Sequence, residues 1–403
     1  MDLVTLWLGL TAAALFLWNL NVWLTKRYDC RVVCSGGASS HVERRWKSHH
    51  LVYVPTEFNE GILQRCPRMS SYSPPFFLAH GTVHSIWSSA LRERVDDFPA
   101  YHRVPVRLSC GASVSIDWSV RDIDRRRKTI LVLHGITGHS MASYCKHMVK
   151  SATKRGFQCV LMNNRGCGGN VLHTAVSFNA ARTSDVREVV KLIRTEFLDE
   201  STPLFMIGFS MGGTVLIRYL AEGDCKGMVR GAVAISTNFN MDRTAAFMER
   251  PYSFGKHVVN RAFCKRLIQW FRVHEHVFRT HSQIDVELVY RCRTLREYDA
   301  LVNVPTSEFE SVAEYYAACS TDDKVGLVPV PLLCLQSADD PVCLAECIPV
   351  SAFQTNPHII LNIAPGGGHV GFLENARLNS SSWMEDCTLD FFDAIVADDL
   401  DHR

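Results

Sequence analysis

Leu204–Thr214 reads Leu-Phe-Met-Ile-Gly-Phe-Ser-Met-Gly-Gly-Thr, and it restricts the surrounding fold more than any other stretch. The apolar run Leu204 to Ile207 predicts a buried strand, and Thr214 to Ala221 predicts a helix. Between them Gly208-Phe209-Ser210-Met211-Gly212 is a G-x-S-x-G pattern, the sequence of a nucleophile elbow. A strand that turns directly into a helix presses the residues two places either side of the serine against backbone, so small residues are required there. Such a turn holds Ser210 Oγ clear of the sheet. It also aims the Met211 N–H, at the start of the helix, toward a developing oxyanion. The plain alternative is a strand-to-helix turn that happens to carry a serine; the flanking strand and helix favour the elbow.

From Lys128 onward strands and helices alternate. Strands are predicted at Thr129–Leu133, Cys159–Asn163, Leu204–Ile207, Ala232–Ser236, Pro331–Gln336 and Ile359–Ile363, with helices at Tyr144–Arg155 and Ala180–Phe197. This alternation predicts a mostly parallel central sheet with helices on both faces. Upstream, Val104–Leu108 and Ser113–Trp118 flank Cys110-Gly111 and predict an antiparallel hairpin. Between Thr237 and Val330 the pattern gives way to helical, aromatic-rich sequence, including Phe254–Phe271 and Val286–Tyr298. That is far beyond an ordinary connection, and an insertion there would lie above the strand ends as a lid.

Serine is a weak nucleophile without a base and a group to orient the base. His369 is the candidate base: it follows the last strand in the glycine loop Pro365-Gly366-Gly367-Gly368-His369. The orienting carboxylate is expected after the Pro331–Gln336 strand, in Ser337-Ala338-Asp339-Asp340-Pro341. Asp339 and Asp340 compete for that role. Asp340 is preferred, because Pro341 keeps the preceding residue extended and so fixes where its carboxylate points. The second oxyanion donor is expected from His134-Gly135-Ile136-Thr137-Gly138, where glycine lets the Ile136 N–H turn toward Ser210. His134 itself is read as a tie for this loop.

Other stretches carry less. Asn163-Asn164-Arg165-Gly166-Cys167-Gly168-Gly169 lacks the spacing of a phosphate cradle, and Arg165 is read as loop-fixing. His274 and His276 stand two apart and do not share a helix face, so no metal site is expected, and the chemistry needs no cofactor. The 15 cysteines form no C-x-x-C pairs and read as reduced core residues. A net charge of +2 implies neither a nucleic-acid nor an anionic-surface partner.

Leu3 to Leu24 holds 22 residues without a charge, long enough to cross a bilayer. An uncleaved signal anchor is expected there, since a basic n-region and a small-x-small cleavage site, the marks of a signal peptide, are missing. Lys26, Arg27 and Arg31 place the body in the cytosol by the positive-inside rule, while the Asn379-Ser380-Ser381 sequon points the other way.

The motifs together resemble the membrane-anchored abhydrolase-domain lipases, the AB hydrolase superfamily 4 family, over about residues 72 to 395. The matching stretches are His134–Gly138, Asn163–Gly169, Gly208–Gly213, Ala338–Pro341, Gly367–Leu373 and Thr294-Leu295-Arg296-Glu297-Tyr298-Asp299. The family's early signature tends to read Gly-His-x-Gln-Thr, whereas this chain has Gly81-Thr82-Val83-His84-Ser85. The resemblance implies an α/β-hydrolase fold with one N-terminal span, and a Ser210, Asp340, His369 triad in which the aspartate directly precedes a proline. The expected organisation is a transmembrane anchor (1–27), a juxtamembrane connector (28–71), a first core part (72–240), a helical lid (241–328) and a second core part (329–403).

The expected protein is a single-pass membrane serine hydrolase of the endoplasmic reticulum or plasma membrane, held by residues 3–24 beside a lipid ester substrate. An acyltransferase using the same triad, and a non-catalytic lipid-binding protein on this fold, are the alternatives. Adding an alcohol separates the first, and Ser210→Ala separates the second.

Overall fold

In a computed structural model the alternating segments form one ten-stranded sheet in the order β1-β2-β10-β9-β8-β7-β5-β6-β4-β3. The structure describes residues 17, 18, 20–22, 24, 30–34, 48–92, 98, 100–251, 255–375 and 380–401. The strands are β1 Cys30–Cys34, β2 His49–Tyr53, β3 His102–Arg107, β4 Ser113–Trp118, β5 Thr129–Leu133, β6 Gln158–Asn163, β7 Leu204–Phe209, β8 Gly231–Ile235, β9 Leu332–Ser337 and β10 Ile359–Ala364. From β10 through β6 every pairing is parallel. β3 and β4 form the predicted antiparallel hairpin, and β4 joins β6 antiparallel. The chain therefore has the α/β-hydrolase architecture, with a mostly parallel central sheet.

The central strands read as continuous apolar runs because both faces are covered. Alternate residues of β7 go to opposite cores: Leu204 and Met206 to one, Phe205, Ile207 and Phe209 to the other. The first core is closed by the helices Ser184–Leu192 and Met211–Ala221. The second is closed by Ser143–Lys154 and the C-terminal Trp383–Asp401.

Two expectations about the N-terminal part need correction. Residues 30–34 and 49–53, expected within a connector, are strands: β2 pairs antiparallel with β10, and β1 extends the edge parallel to β2. Both are only five residues long, and the β10 partner of β2 comes from the other end of the chain, so no local pattern announces the pairing. The single-pass membrane protein expected from Leu3–Leu24 is the second. That stretch lies mostly outside the described residues, and among the described residues no helix is long and apolar enough to cross a membrane. Apolar length permits a span without requiring one, because the same surface can be covered by protein. Trp18, one of the described positions, sits against the His80 ring with centroids 4.0 Å apart. Lys26, Arg27 and Asn379 also lie outside the described residues.

The helix Gly81–Leu91 ends in a buried ion pair that ties it to the C-terminal helix. Arg92 donates to both Glu385 carboxylate oxygens at 2.9 and 2.7 Å and to Ser380 O at 3.1 Å, with side chains 2% and 0% exposed. Removing one partner strands the other charge in the core. Arg92→Ala is expected to destabilise the fold by about 3–5 kcal/mol, read as a lower urea midpoint. An unchanged midpoint would show that solvent reaches Glu385.

Candidate active site

The elbow forms where β7 meets the helix Met211–Ala221. Ser210 has φ 54° and ψ −119°, a strained conformation for a residue with a side chain, and it is held by its N–H donating to Ile235 O at 2.9 Å. The need for small residues is visible on both sides. A Cβ at Gly208 would lie 2.4 Å from Gly212 O, and one at Gly212 would lie 2.4 Å from Leu133 O.

The loops after β9 and β10 bring the other two candidates to this serine. Ser210 Oγ lies 3.0 Å from His369 Nε2. His369 Nδ1 lies 2.9 Å from Asp340 Oδ2 and 3.1 Å from Oδ1. The Asp340 side chain has no exposed surface, and its Oδ1 also accepts the Val342 and Cys343 N–H groups at 2.8 and 2.9 Å. Asp339 faces elsewhere: its Oδ1 accepts the Gly368 N–H at 3.0 Å and the Ser337 hydroxyl at 2.7 Å. The two neighbouring aspartates thus divide the work, one against the imidazole and one under the loop that carries it.

A further layer comes from the helix Gly81–Leu91, whose place in the fold the sequence left open. Ser85 Oγ accepts the His369 N–H at 2.7 Å and donates to Gly81 O at 2.7 Å. His84 donates from Nδ1 to Leu78 O at 3.0 Å and accepts the Leu373 N–H at Nε2, 2.8 Å away. The backbones meet so closely that a Cβ at Gly81 would lie 1.9 Å from Asp339 O, and one at Gly368 would lie 2.2 Å from Gly81 O. The signal was the Gly81-Thr82-Val83-His84-Ser85 signature; its variant residues hid that its task is to hold the His369 loop.

Ile136 and Met211, the expected oxyanion donors, both line a cleft that opens at Ser210. His134 ties the Ile136 loop as expected: it is buried, its Nδ1 lies 2.7 Å from Gly135 O, and its Nε2 accepts the Asn164 N–H at 3.3 Å. Burial lowers its pKa to about 4, which keeps the ring neutral. The Gly135 N–H itself is taken by Tyr144 Oη at 3.0 Å.

The cleft holds about 880 Å³ of empty space, part of it open to solvent. Its walls are mostly apolar, with Phe263, Leu267, Trp270 and Met248 from the helical segment between β8 and β9. That segment is anchored by its own core, where Phe271, Phe278, Val289 and Tyr298 pack with Cys167, Leu172 and Phe178. Trp270 Nε1 donates to Gly166 O at 2.8 Å, so the glycine-rich loop after β6 is a seat for this segment. Arg165 fixes the loop through a buried two-point pair with Asp185, both bonds 2.6 Å. Burial pushes the Cys167 thiol up to about 12, which leaves it unreactive at neutral pH.

Two acidic or metal-type features accompany the site. Asp340, Cys343 and His369 have donor atoms close enough for an ion. Those atoms are already committed: the Cys343 thiol donates to Ser236 O at 3.1 Å, and burial raises its pKa. In the cleft wall, burial lifts the Asp299 carboxyl from 3.8 to about 6, while bonds from Tyr316 (2.8 Å) and Asn303 (2.6 Å) oppose the rise. A carboxyl that holds its proton more tightly folded than unfolded costs stability once ionised. That cost is absent below about pH 4, grows between pH 4 and 6, and is complete above about pH 6, at an order of 2–3 kcal/mol. Asp299→Asn is expected to remove it, raising the urea midpoint at neutral pH but not at pH 4. A midpoint difference independent of pH would contradict this origin.

The family match agrees with this architecture. The Hydrolase_4 family, described as serine aminopeptidase, S33, matches residues 124–375. The chain is 30% identical over 359 residues to the Mus musculus phospholipase ABHD3, covering 87% of this chain and 85% of that protein. It is 27% identical over 256 residues to the Saccharomyces cerevisiae monoacylglycerol lipase, covering 62% of this chain and 56% of that one. Among solved structures, the Pyrococcus furiosus esterase Pf2001 covers 67% of this chain and 82% of its own, with 20% identity and a TM-score of 0.42. The chain belongs to the Hydrolase_4 family of α/β hydrolases.

Proposed function

We propose that this protein hydrolyses carboxylic esters of lipids through an acyl-enzyme on Ser210. A carboxylic ester hydrolase is the enzyme class to which the family match and its phospholipase and lipase relatives assign it. The observation that carries the finer reading is the hydrogen-bonded row Ser210, His369, Asp340 opening onto a largely apolar cleft.

In this reading His369 Nε2 takes the Ser210 proton as Oγ attacks the acyl carbonyl. Asp340 holds the Nδ1–H tautomer and stabilises the imidazolium. The Ile136 and Met211 N–H groups receive the oxyanion, each lowering the barrier by roughly 3 kcal/mol. His369 then protonates the leaving alcohol and activates the water that frees the acyl group. The helical segment 241–328 acts as a lid, and the apolar faces of Phe263, Leu267 and Trp270 take up the acyl chain.

The test is product analysis with phosphatidylcholine and with monoacylglycerol, each with and without an added medium-chain alcohol. Free fatty acid is the expected product in every case. Alkyl ester in place of fatty acid would make the protein an acyltransferase, and no turnover of either lipid by folded protein would overturn the lipid-ester reading.

A further inference from the structure

A net charge of +2 hides a strong segregation of charge over the cleft. Residues 255–293, within the segment that roofs the cleft, contain eight Lys and Arg against three Asp and Glu. Two of those carboxylates, Glu275 and Glu287, are engaged by Arg279, and Asp285 caps its own helix by accepting the Glu287 and Leu288 N–H groups. Arg261, Lys265, Arg266, Arg272, Arg291 and Arg293 are all exposed, and none of them forms an ion pair among the described residues.

The helix Arg261–Val273 arranges this charge. Arg261, Lys265, Gln269 and Arg272 are spaced four, four and three residues apart, which places them on one face. With Ile268, Cys292 and Arg293 they line an open groove, where the Arg272 guanidinium lies 5.2 Å from the Tyr290 ring centre. The opposite face of the same helix supplies Phe263, Leu267 and Trp270 to the cleft at Ser210. Val258, Val273 and Leu288 are exposed apolar side chains on the same segment, at 45%, 70% and 45%. Exposed cations mixed with exposed apolar groups suit an interface that is negatively charged and oily just beneath. A folded protein partner would have to bury these cations, whereas anionic headgroups can rearrange to meet each of them.

We propose that the basic face of Arg261–Val273 docks peripherally on anionic lipid bilayers. The contact lies on the surface and needs no spanning helix. Because this helix has its other face on the cleft, docking sets the cleft roof against the lipid layer. That consequence rests on the lipid-ester reading, while the binding itself does not.

The test compares the full chain with its triple variant Arg261→Gln, Lys265→Gln, Arg272→Gln. Co-sedimentation is measured with phosphatidylcholine vesicles and with vesicles containing roughly 30% phosphatidylserine, at low and high salt. The wild type is expected to prefer anionic vesicles at low salt and to lose the preference at high salt. Three cations at about fivefold each predict a loss of about 100-fold in anionic-vesicle affinity for the variant. A local readout accompanies this: amide hydrogen exchange over 257–273 is expected to slow on anionic vesicles and not on neutral ones. An unchanged preference in the variant, or no slowing over 257–273, would overturn the proposal. Equal affinity for a short DNA duplex of arbitrary sequence would overturn its assignment to lipid. Hydrolysis of a soluble short-chain ester is expected to be the same in both proteins. Its absence from the wild type would count against the esterase reading and leave the vesicle result to stand by itself.

Discussion

Ser210→Ala is expected to lower kcat toward a lipid ester by on the order of 10⁶-fold, with little change in stability. The size follows from the chemistry: without Oγ there is no acyl-enzyme, and only the oxyanion donors and binding remain to assist water. The stability change is small because Ser210 Oγ points into the cleft, and because the bond that holds the elbow, from Ser210 N–H to Ile235 O, survives the substitution. A fluorophosphonate probe gives an independent measure. It should label the wild type once, at Ser210, and leave Ser210→Ala unlabelled. If the folded variant kept even a tenth of the wild-type turnover, Ser210 would not be the nucleophile and the mechanism proposed above would fail.

The second large effect separates two adjacent carboxylates. Asp340→Asn is expected to reduce kcat by about 10⁴-fold while leaving the fold intact. An amide oxygen in the Oδ1 place can still accept the Val342 and Cys343 N–H groups, but the NH2 that then faces His369 no longer stabilises the imidazolium and favours the wrong His369 tautomer. Asp339→Asn is expected to cost no more than about 10-fold, because an amide oxygen can go on accepting the Gly368 N–H. The comparison is made by steady-state kinetics on one soluble ester, with thermal unfolding to establish that both variants are folded. Equal losses at the two positions would mean that the loop, and not the charge beside His369, is what the aspartates provide.

Much of the central sheet was legible because its strands are buried on both faces. Ile130–Leu133 and Leu204–Ile207 are apolar and buried at every position, the pattern of strands covered on both faces. The elbow was legible for a different reason: a Cβ at 208 or 212 would meet a backbone oxygen at 2.4 Å, which leaves no alternative to glycine, so geometry is written directly into residue type. The β1 and β2 strands were not legible. His49–Tyr53 is five residues whose partner strand, Ile359–Ala364, comes from the other end of the chain, and nothing local distinguishes it from a connector. The role of Ser85 and His84 was hidden in the same way, since a hydroxyl on a helix is ordinary until the His369 backbone is found against it.

By itself the sequence determined the strand–turn–helix around Ser210, the alternation that builds a parallel sheet, and the glycine loop that carries His369. Each is a local demand of sterics or burial that restricts residue type at nearby positions. Only the tertiary structure decided which of Asp339 and Asp340 faces the imidazole, because one residue of loop register rotates a carboxylate to the other side of the backbone. It also decided what the Gly81–Leu91 helix supports and where the cations of 255–293 gather. Those are relations between residues far apart in the chain, set by how the sheet edge, the loops after β9 and β10, and the helical segment over the cleft are packed together.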